Sequence, residues 1–386
     1  MLAGAIFVSV TSQFLPNGLL PDMARELGVS QSRVGLLVTV FAITVVVSTT
    51  PLAALTRRIS RKHLVLVVLL VNGTAALLAA SAPSYELLVG ARVLGGLAHG
   101  LFWAVVGAYS AHLVPKHLIG RAVAITSFGG TAAFVLGVPI GTALGHALGW
   151  RLAFASVGVV MLILVALVLW LLPPVDHRVT LATGEIQLPA RRDATLPAII
   201  AICVVIVIIM TGQNVLYTYI APWLISVGAV SEAAVAGMLF VYGGAGVVGL
   251  LVAGVLADRY PRFGFVAMGA ACALSVLLLA LGSSNQVLIV IAVGCWGAAF
   301  GGLPALFQAR MLHTASPRLR DFGSALFTTS FNIAIGVGAL VGGVLIDAVG
   351  LAVLPYVLVA LVLTGVVVNL VAESSLRGRA LERPSS

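Results

Sequence analysis

The chain has 386 residues, of which 61% are apolar and 9% charged, with a mean hydropathy of +1.16. Ordinary soluble domains carry about 25% charged residues, so this composition excludes a soluble enzyme, a nucleic-acid binder and a disordered chain. The basic excess, 21 Lys and Arg against 12 Asp and Glu, is therefore read against a bilayer rather than a polyanion. A membrane-crossing helix needs about 20 apolar residues. Apolar runs between breakers predict twelve spans, at 2–20, 33–55, 63–81, 86–108, 122–144, 152–172, 197–219, 234–257, 263–282, 286–309, 322–346 and 351–371. The runs are continuously apolar and lack a period of two, which predicts helices rather than a barrel.

Span one places Ser9, Gln13 and Asn17 at i, i+4 and i+8 on one helix face. The loop after span two, PLAALTRRISRKHL, is basic and contains Arg58 and Arg61. Span four, LLVGARVLGGLAHGLFW, puts Arg92, His99 and Trp103 on one face. A charge inside a span is costly and faces the bundle interior. Arg92 has two roles open to it, a functional one in the bundle interior or a tie to backbone carbonyls. His99 is either a satisfied interior histidine or a group that binds a proton. In span five, Gly129, Ala133, Gly137 and Gly141 recur every four residues, and Pro139 interrupts the backbone bonding. That pattern predicts a closely packed, kinked helix.

The longest polar stretch, 173–196, falls at the midpoint of the chain. It is expected to link one bundle over 1–172 to another over 197–372, with 373–386 as a tail. Span seven carries Gln213 and Tyr217 on one face, and Asn214 and Thr218 on the next. The loop after span eight, AGVLADRYPRFG, holds Asp258, Arg259 and Arg262. Span ten offers Trp296, Phe300 and Gln308, and span eleven Ser324, Thr328 and Asn332 with Phe327 and Phe331 alongside. Amides bond hydroxyls and aromatic faces stack on apolar ring surfaces, a combination suited to an uncharged polar solute. The expected solute contacts are Gln13, Asn17, His99, Trp103, Gln213, Asn214, Tyr217, Trp296, Gln308, Phe327 and Asn332. The competing role for such residues is interhelical hydrogen bonding.

Seventeen of the 21 cations fall in loops that share a side with the N-terminus, which predicts that both termini are cytoplasmic. None of the 12 acids lies at mid-membrane. Three readings of a proton site stay open: His99, an end carboxylate such as Asp22, or none at all. The three cysteines lie in apolar runs, so no disulfide framework is expected. No P-loop, nucleophile elbow or metal-spaced His/Glu cluster is present, so neither enzymatic activity nor a cofactor or metal is expected.

A shift of 201 residues superposes Pro21 on Pro222, Arg58 on Arg259 and Arg61 on Arg262. The same register superposes Gly96 and Gly100 on Gly297 and Gly301, and Gly137 and Gly141 on Gly338 and Gly342. Two parallel six-helix repeats follow, with a solute site expected between them near mid-membrane.

The two basic loops resemble the cytoplasmic loop motif G-x-L-x-D-R-x-G-R-R of the major facilitator superfamily. Arg58 and Arg61 match in the first copy, and Asp258, Arg259 and Arg262 in the second, while Arg57 replaces the motif's aspartate in the first. Span five resembles the antiporter motif of the drug:proton antiporter branch through Gly137, Pro139 and Gly141. Together with TSQFLPNGLLP, YTYIAPWL and LFTTSFNIAIGVGALVGG, the chain is similar to arabinose-type sugar exporters and to chloramphenicol exporters. The resemblance implies an all-α membrane fold of twelve transmembrane helices in two pseudo-symmetric bundles. It further implies a monomer in the bacterial inner membrane that exports a small sugar-like or drug-like solute by alternating access against protons. Arg92 and His99 would serve the coupling, and Asp258 with Arg259 would latch the two halves, while the first loop, with Arg58 and Arg61 but no aspartate, either latches or only sets topology.

Overall fold

The computed structural model describes residues 1–56, 59–112, 119–171, 193, 195–316 and 319–381. Helices form wherever the apolar runs predict them, because a backbone in hydrocarbon must satisfy its own hydrogen bonds. The first group is α1 (Leu2–Leu27), α2 (Gln31–Leu55), α3 (Arg61–Ala80), α4 (Tyr85–His112), α5 (Ile119–Ala132), α6 (Val138–Leu148) and α7 (Trp150–Leu171). The second is α8 (Leu196–Tyr217), α9 (Ile220–Ser226), α10 (Glu232–Arg259), α11 (Pro261–Leu281), α12 (Gln286–Thr314), α13 (Arg320–Ala348) and α14 (Leu354–Leu381). Among the described residues twelve stretches are long and apolar enough to cross a bilayer, and each falls on an expected span. Span five is α5, a π-helical turn at Ala133–Gly137, and α6. The π turn falls just before Pro139, whose missing N–H and ring disturb the regular ladder there.

The packing repeats between the groups. Helix α2 packs on α4 as α10 does on α12, α3 on α7 as α11 on α14, and α1 on α5 and α6 as α8 on α13. The matched glycines sit at these seams. A β carbon at Gly96 would meet the Phe41 carbonyl 2.9 Å away, and one at Gly297 would meet the equivalent carbonyl of Tyr242. Four described residues have left-handed backbones, Gly28 (φ 64°), Gly149 (φ 93°), Ala229 (φ 50°) and Gly350 (φ 101°). They form two pairs 201 residues apart. Gly28 and Ala229 follow the first and seventh spans, and Gly149 and Gly350 follow the fifth and eleventh.

The groups meet from mid-membrane to the end away from the chain termini, called here the distal end. Arg25 Nη2 lies 2.8 Å from Glu232 Oε1. Ser32 donates to Asp347 at 2.9 Å, and Thr39 to the Gly336 carbonyl at 3.0 Å. Tyr219 donates to the Ala339 carbonyl at 2.8 Å, and its ring tip fills the space over Gly35 of the other group. Nearer the middle, Gly243 backs onto the Phe134–Val135 backbone. Arg58 and the side chains of Asp258 and Arg262 lie outside the described residues, as does most of 173–196. Of the other loop-motif residues, Arg61 opens α3 and Arg259 closes α10, exposed.

Candidate functional site

Arg92 is 3% exposed and surrounded by acceptors supplied by backbone. Its Nη1 donates to the Ser12 carbonyl at 2.9 Å and its Nη2 to the Gln13 carbonyl at 3.0 Å. The reason lies in α1. Pro16 stands four residues after Ser12 and has no N–H, so the Ser12 carbonyl lacks its helical donor. The guanidinium supplies that donor, and its face lies 4.3 Å from the Phe41 ring centroid. Phe41 also lies against His99, with ring centroids 5.2 Å apart.

His99 is 2% exposed and sits in a closed chain of hydrogen bonds. Trp103 Nε1 lies 2.8 Å from His99 Nε2, and His99 Nδ1 lies 2.8 Å from Ser9 Oγ. An indole N–H only donates, so Nε2 is the acceptor and the ring proton of a neutral imidazole sits on Nδ1. Ser9 then accepts from His99, and also from Asn72 Nδ2 at 3.2 Å. A proton added to His99 must take Nε2 and expel the Trp103 N–H.

The second group builds an uncharged counterpart. Gln213 Nε2 donates to Tyr242 Oη at 2.8 Å, and its Oε1 accepts from Trp296 Nε1 at 2.9 Å. The donor-only indole again fixes which way the amide points. The Tyr242 proton has no acceptor among the described residues. Tyr217 lies against Tyr242 at 5.1 Å between centroids, and Phe14 and Phe134 from the first group complete the aromatic layer. The Gln13 amide likewise makes no hydrogen bond among the described residues.

Sequence reasoning missed Tyr242 and Asn72. The repeat carries the signal for Tyr242, which stands 201 residues after Phe41. Phe41 faces His99, and Tyr242 stacks on Phe300, the residue at the position equivalent to His99. Asn72 had no such signal, being a lone amide in an apolar run. Other expected contacts show no hydrogen bond or ring contact to this cluster among the described residues. Asn214 donates to the Met210 carbonyl of its own helix and faces Gly338 in the α8–α13 seam. Asn332 donates to the Thr328 carbonyl at 3.0 Å, and Phe327 packs on Phe331. Gln308 is half-buried further along α12. Asn17 is completely buried. Gly137 and Gly141 admit Thr11 and Leu15 of α1, with Pro139 between them. Among the described residues no group of three His, Cys, Asp or Glu side chains is placed to hold a metal ion.

Two matching groups of six spans around a polar interior without carboxylates define a membrane transporter of the two-bundle kind. The chain belongs to the major facilitator superfamily, whose profile (Major Facilitator Superfamily) matches residues 2–309 and again 202–385. It is 30% identical over 363 residues to a probable sugar efflux transporter of Mannheimia succiniciproducens, covering 92% of this chain and 89% of that one. It is 31% identical over 353 residues to a probable sugar efflux transporter of Helicobacter pylori, covering 91% and 88%. In fold it is similar to a bacterial homologue of the human lysosomal transporter Spinster in an inward-facing, occupied conformation. The TM-score is 0.75, the identity 16%, and the match covers 97% of this chain and 95% of that one. The unoccupied inward-facing form of that protein scores 0.68 at 17% identity, covering 97% and 94%.

Proposed function

We propose that this protein exports a small neutral, sugar-like solute from the cytoplasm of a bacterial cell in exchange for protons. The lining supports this most directly. Gln213 is held between Tyr242 and Trp296, presenting amide, phenol and ring faces without a charge. Such a surface bonds hydroxyls and stacks on the apolar faces of a sugar ring. The two relatives named as probable sugar efflux transporters support the same reading. The halves 1–172 and 197–372 rock about this site, joined by 173–196. The bias of the cations makes the terminal end cytoplasmic, so the distal end, where the groups meet, is the outer one. The central site then opens to the cytoplasm, as in the inward-facing Spinster homologue.

In this reading His99 is the proton-binding group of the central site, with Arg92 its electrostatic partner across Phe41. Proton arrival at Nε2 displaces the Trp103 indole toward the solute site, linking protonation to solute release. The test uses proteoliposomes loaded with labelled arabinose and an imposed pH gradient. Wild type is expected to accelerate release with the gradient. His99→Gln keeps the polar contacts of the ring but not its titration, and is expected to exchange arabinose without responding to the gradient. Gradient-driven flux retained in His99→Gln removes His99 from the coupling. If labelled chloramphenicol moves and arabinose does not, the solute class is drug-like instead.

A further inference from the structure

Between the distal ends of the two groups lies a vestibule of about 430 Å³, lined by Pro21, Arg25, Pro222 and Glu232 among others. One face of α1 can be followed beneath it through its contacts. Phe14 meets Tyr217 across the groups at 6.2 Å between ring centroids. Pro21 reaches the vestibule wall, and Arg25 meets Glu232 at its rim. Asn17 is three residues after Phe14 and four before Pro21, so helical geometry turns it to the same face, toward the second group. Thr218 follows Tyr217 and precedes Pro222 by four. The two residues occupy one position of the 201-residue repeat, on either side of the pseudo-symmetry axis.

Asn17 and Thr218 are both 0% exposed. Neither the Oδ1 and Nδ2 of Asn17 nor the Oγ1 of Thr218 has a hydrogen-bond partner among the described residues. A buried polar atom without a partner raises the free energy of the state that buries it. Leucine and valine would fill the same space without that cost, so packing alone does not account for the pair. The closed distal end therefore holds two polar groups in reserve, sealed between an aromatic layer and a vestibule.

We infer that Asn17 and Thr218 form a second, outer subsite for the solute, filled when the distal end opens. The vestibule then deepens to the Phe14–Tyr217 layer, and the two side chains become its floor. Asn17 Nδ2 donates to a solute hydroxyl, while Asn17 Oδ1 and Thr218 Oγ1 accept from others. The ligand class is a neutral polyhydroxylated molecule, and the inference rests on the export reading above. The outer subsite holds the solute after it has left the central site and before release.

The experiment is arabinose exchange in proteoliposomes sorted by orientation, so that half-saturation is measured from each side separately. Thr218→Val preserves shape and removes only the hydroxyl. It is expected to raise the half-saturation on the outer side about tenfold, the scale of one lost hydrogen bond to a bound ligand. The cytoplasmic side should stay within about twofold, since one missing contact acts only where it is made. Asn17→Leu should act in the same direction, and Thr218→Val carries the test if Asn17→Leu does not fold. Equal shifts on both sides, or none on either, overturn the outer subsite. Wild type that exchanges no arabinose from either side overturns the sugar-export reading, and the subsite with it.

Discussion

Arg92 is held by a defect in another helix. Pro16 removes one donor from α1, and Arg92, 80 residues away from Ser12, restores it. The second Nη bonds Gln13 and the ring of Phe41 covers the guanidinium, so the charge is buried with no counter-ion among the described residues. This fulfils the carbonyl-tie role for Arg92 and leaves room for an electrostatic one. The dependence is testable by a double-mutant cycle. Arg92→Met strands the Ser12 carbonyl in the wild-type background, whereas Pro16→Ala restores a backbone N–H at that position to satisfy it. The loss from Arg92→Met should be smaller by about 1 kcal/mol in the Pro16→Ala background, read from thermal unfolding in detergent. Additive losses would mean that the proline and the arginine act independently. Pro16 and Arg92 are both conspicuous in the sequence, but which carbonyl the arginine meets depends on how α1 and α4 cross.

Helix ends carry the repeat as clearly as helix faces do. The chain leaves spans one and seven through left-handed residues at the same repeat position, Gly28 and Ala229. Glycine adopts that conformation freely, but alanine is strained there by its β carbon. Gln286 holds the strained turn, donating to the Gly228 carbonyl at 2.8 Å and to the Ala229 carbonyl at 3.2 Å. Ala229→Gly should therefore stabilise the protein by about 1 kcal/mol, visible as a raised melting temperature. A lowered one would mean that Gln286 already compensates the turn fully. The expected spans and the glycine seams were both readable from apolar runs and spacing. The break after Tyr217 was not, because 197–219 reads as one continuous apolar run while the backbone turns at 218–219 to place Tyr219 between the groups.

At the scale of the whole molecule, closure of the distal end rests on contacts of unequal strength. Arg25 and Glu232 are 63% and 51% exposed, and an ion pair so open to water contributes at most about 1 kcal/mol. Backbone meeting backbone is harder to displace. A β carbon at Gly243 would fall 2.7 Å from Val135 Cα in the other group, and no rotamer change relieves that contact. A β carbon at Gly141 would meet the tip of Leu15 at 2.6 Å within the first group, where a side chain can yield. Gly243→Ala is therefore expected to separate the groups and populate a form parted at the distal end, while Gly141→Ala and Glu232→Gln shift it little. Spin-label distances between positions 33 and 349 at the distal end should lengthen only in Gly243→Ala. Equal lengthening in Glu232→Gln would make the ion pair the dominant tie. The seventeen cations gather at the terminal end of the molecule, but their placement does not reveal the end at which the halves meet.

The sequence by itself determined the membrane class, the twelve spans and the repeat, because each depends on local composition and fixed spacing along the chain. It also showed that no carboxylate reaches mid-membrane, which is a matter of counting. Only the tertiary structure decided which polar residues meet. Gln213, Tyr242 and Trp296 come from three helices, and Ser9, Asn72, His99 and Trp103 from three others. It alone decided that Asn17 is sealed without a partner among the described residues while Gln13, one turn away, keeps an uncommitted amide. Spacing sets the face on which a side chain lies, but the crossing of helices distant in sequence sets what that face touches.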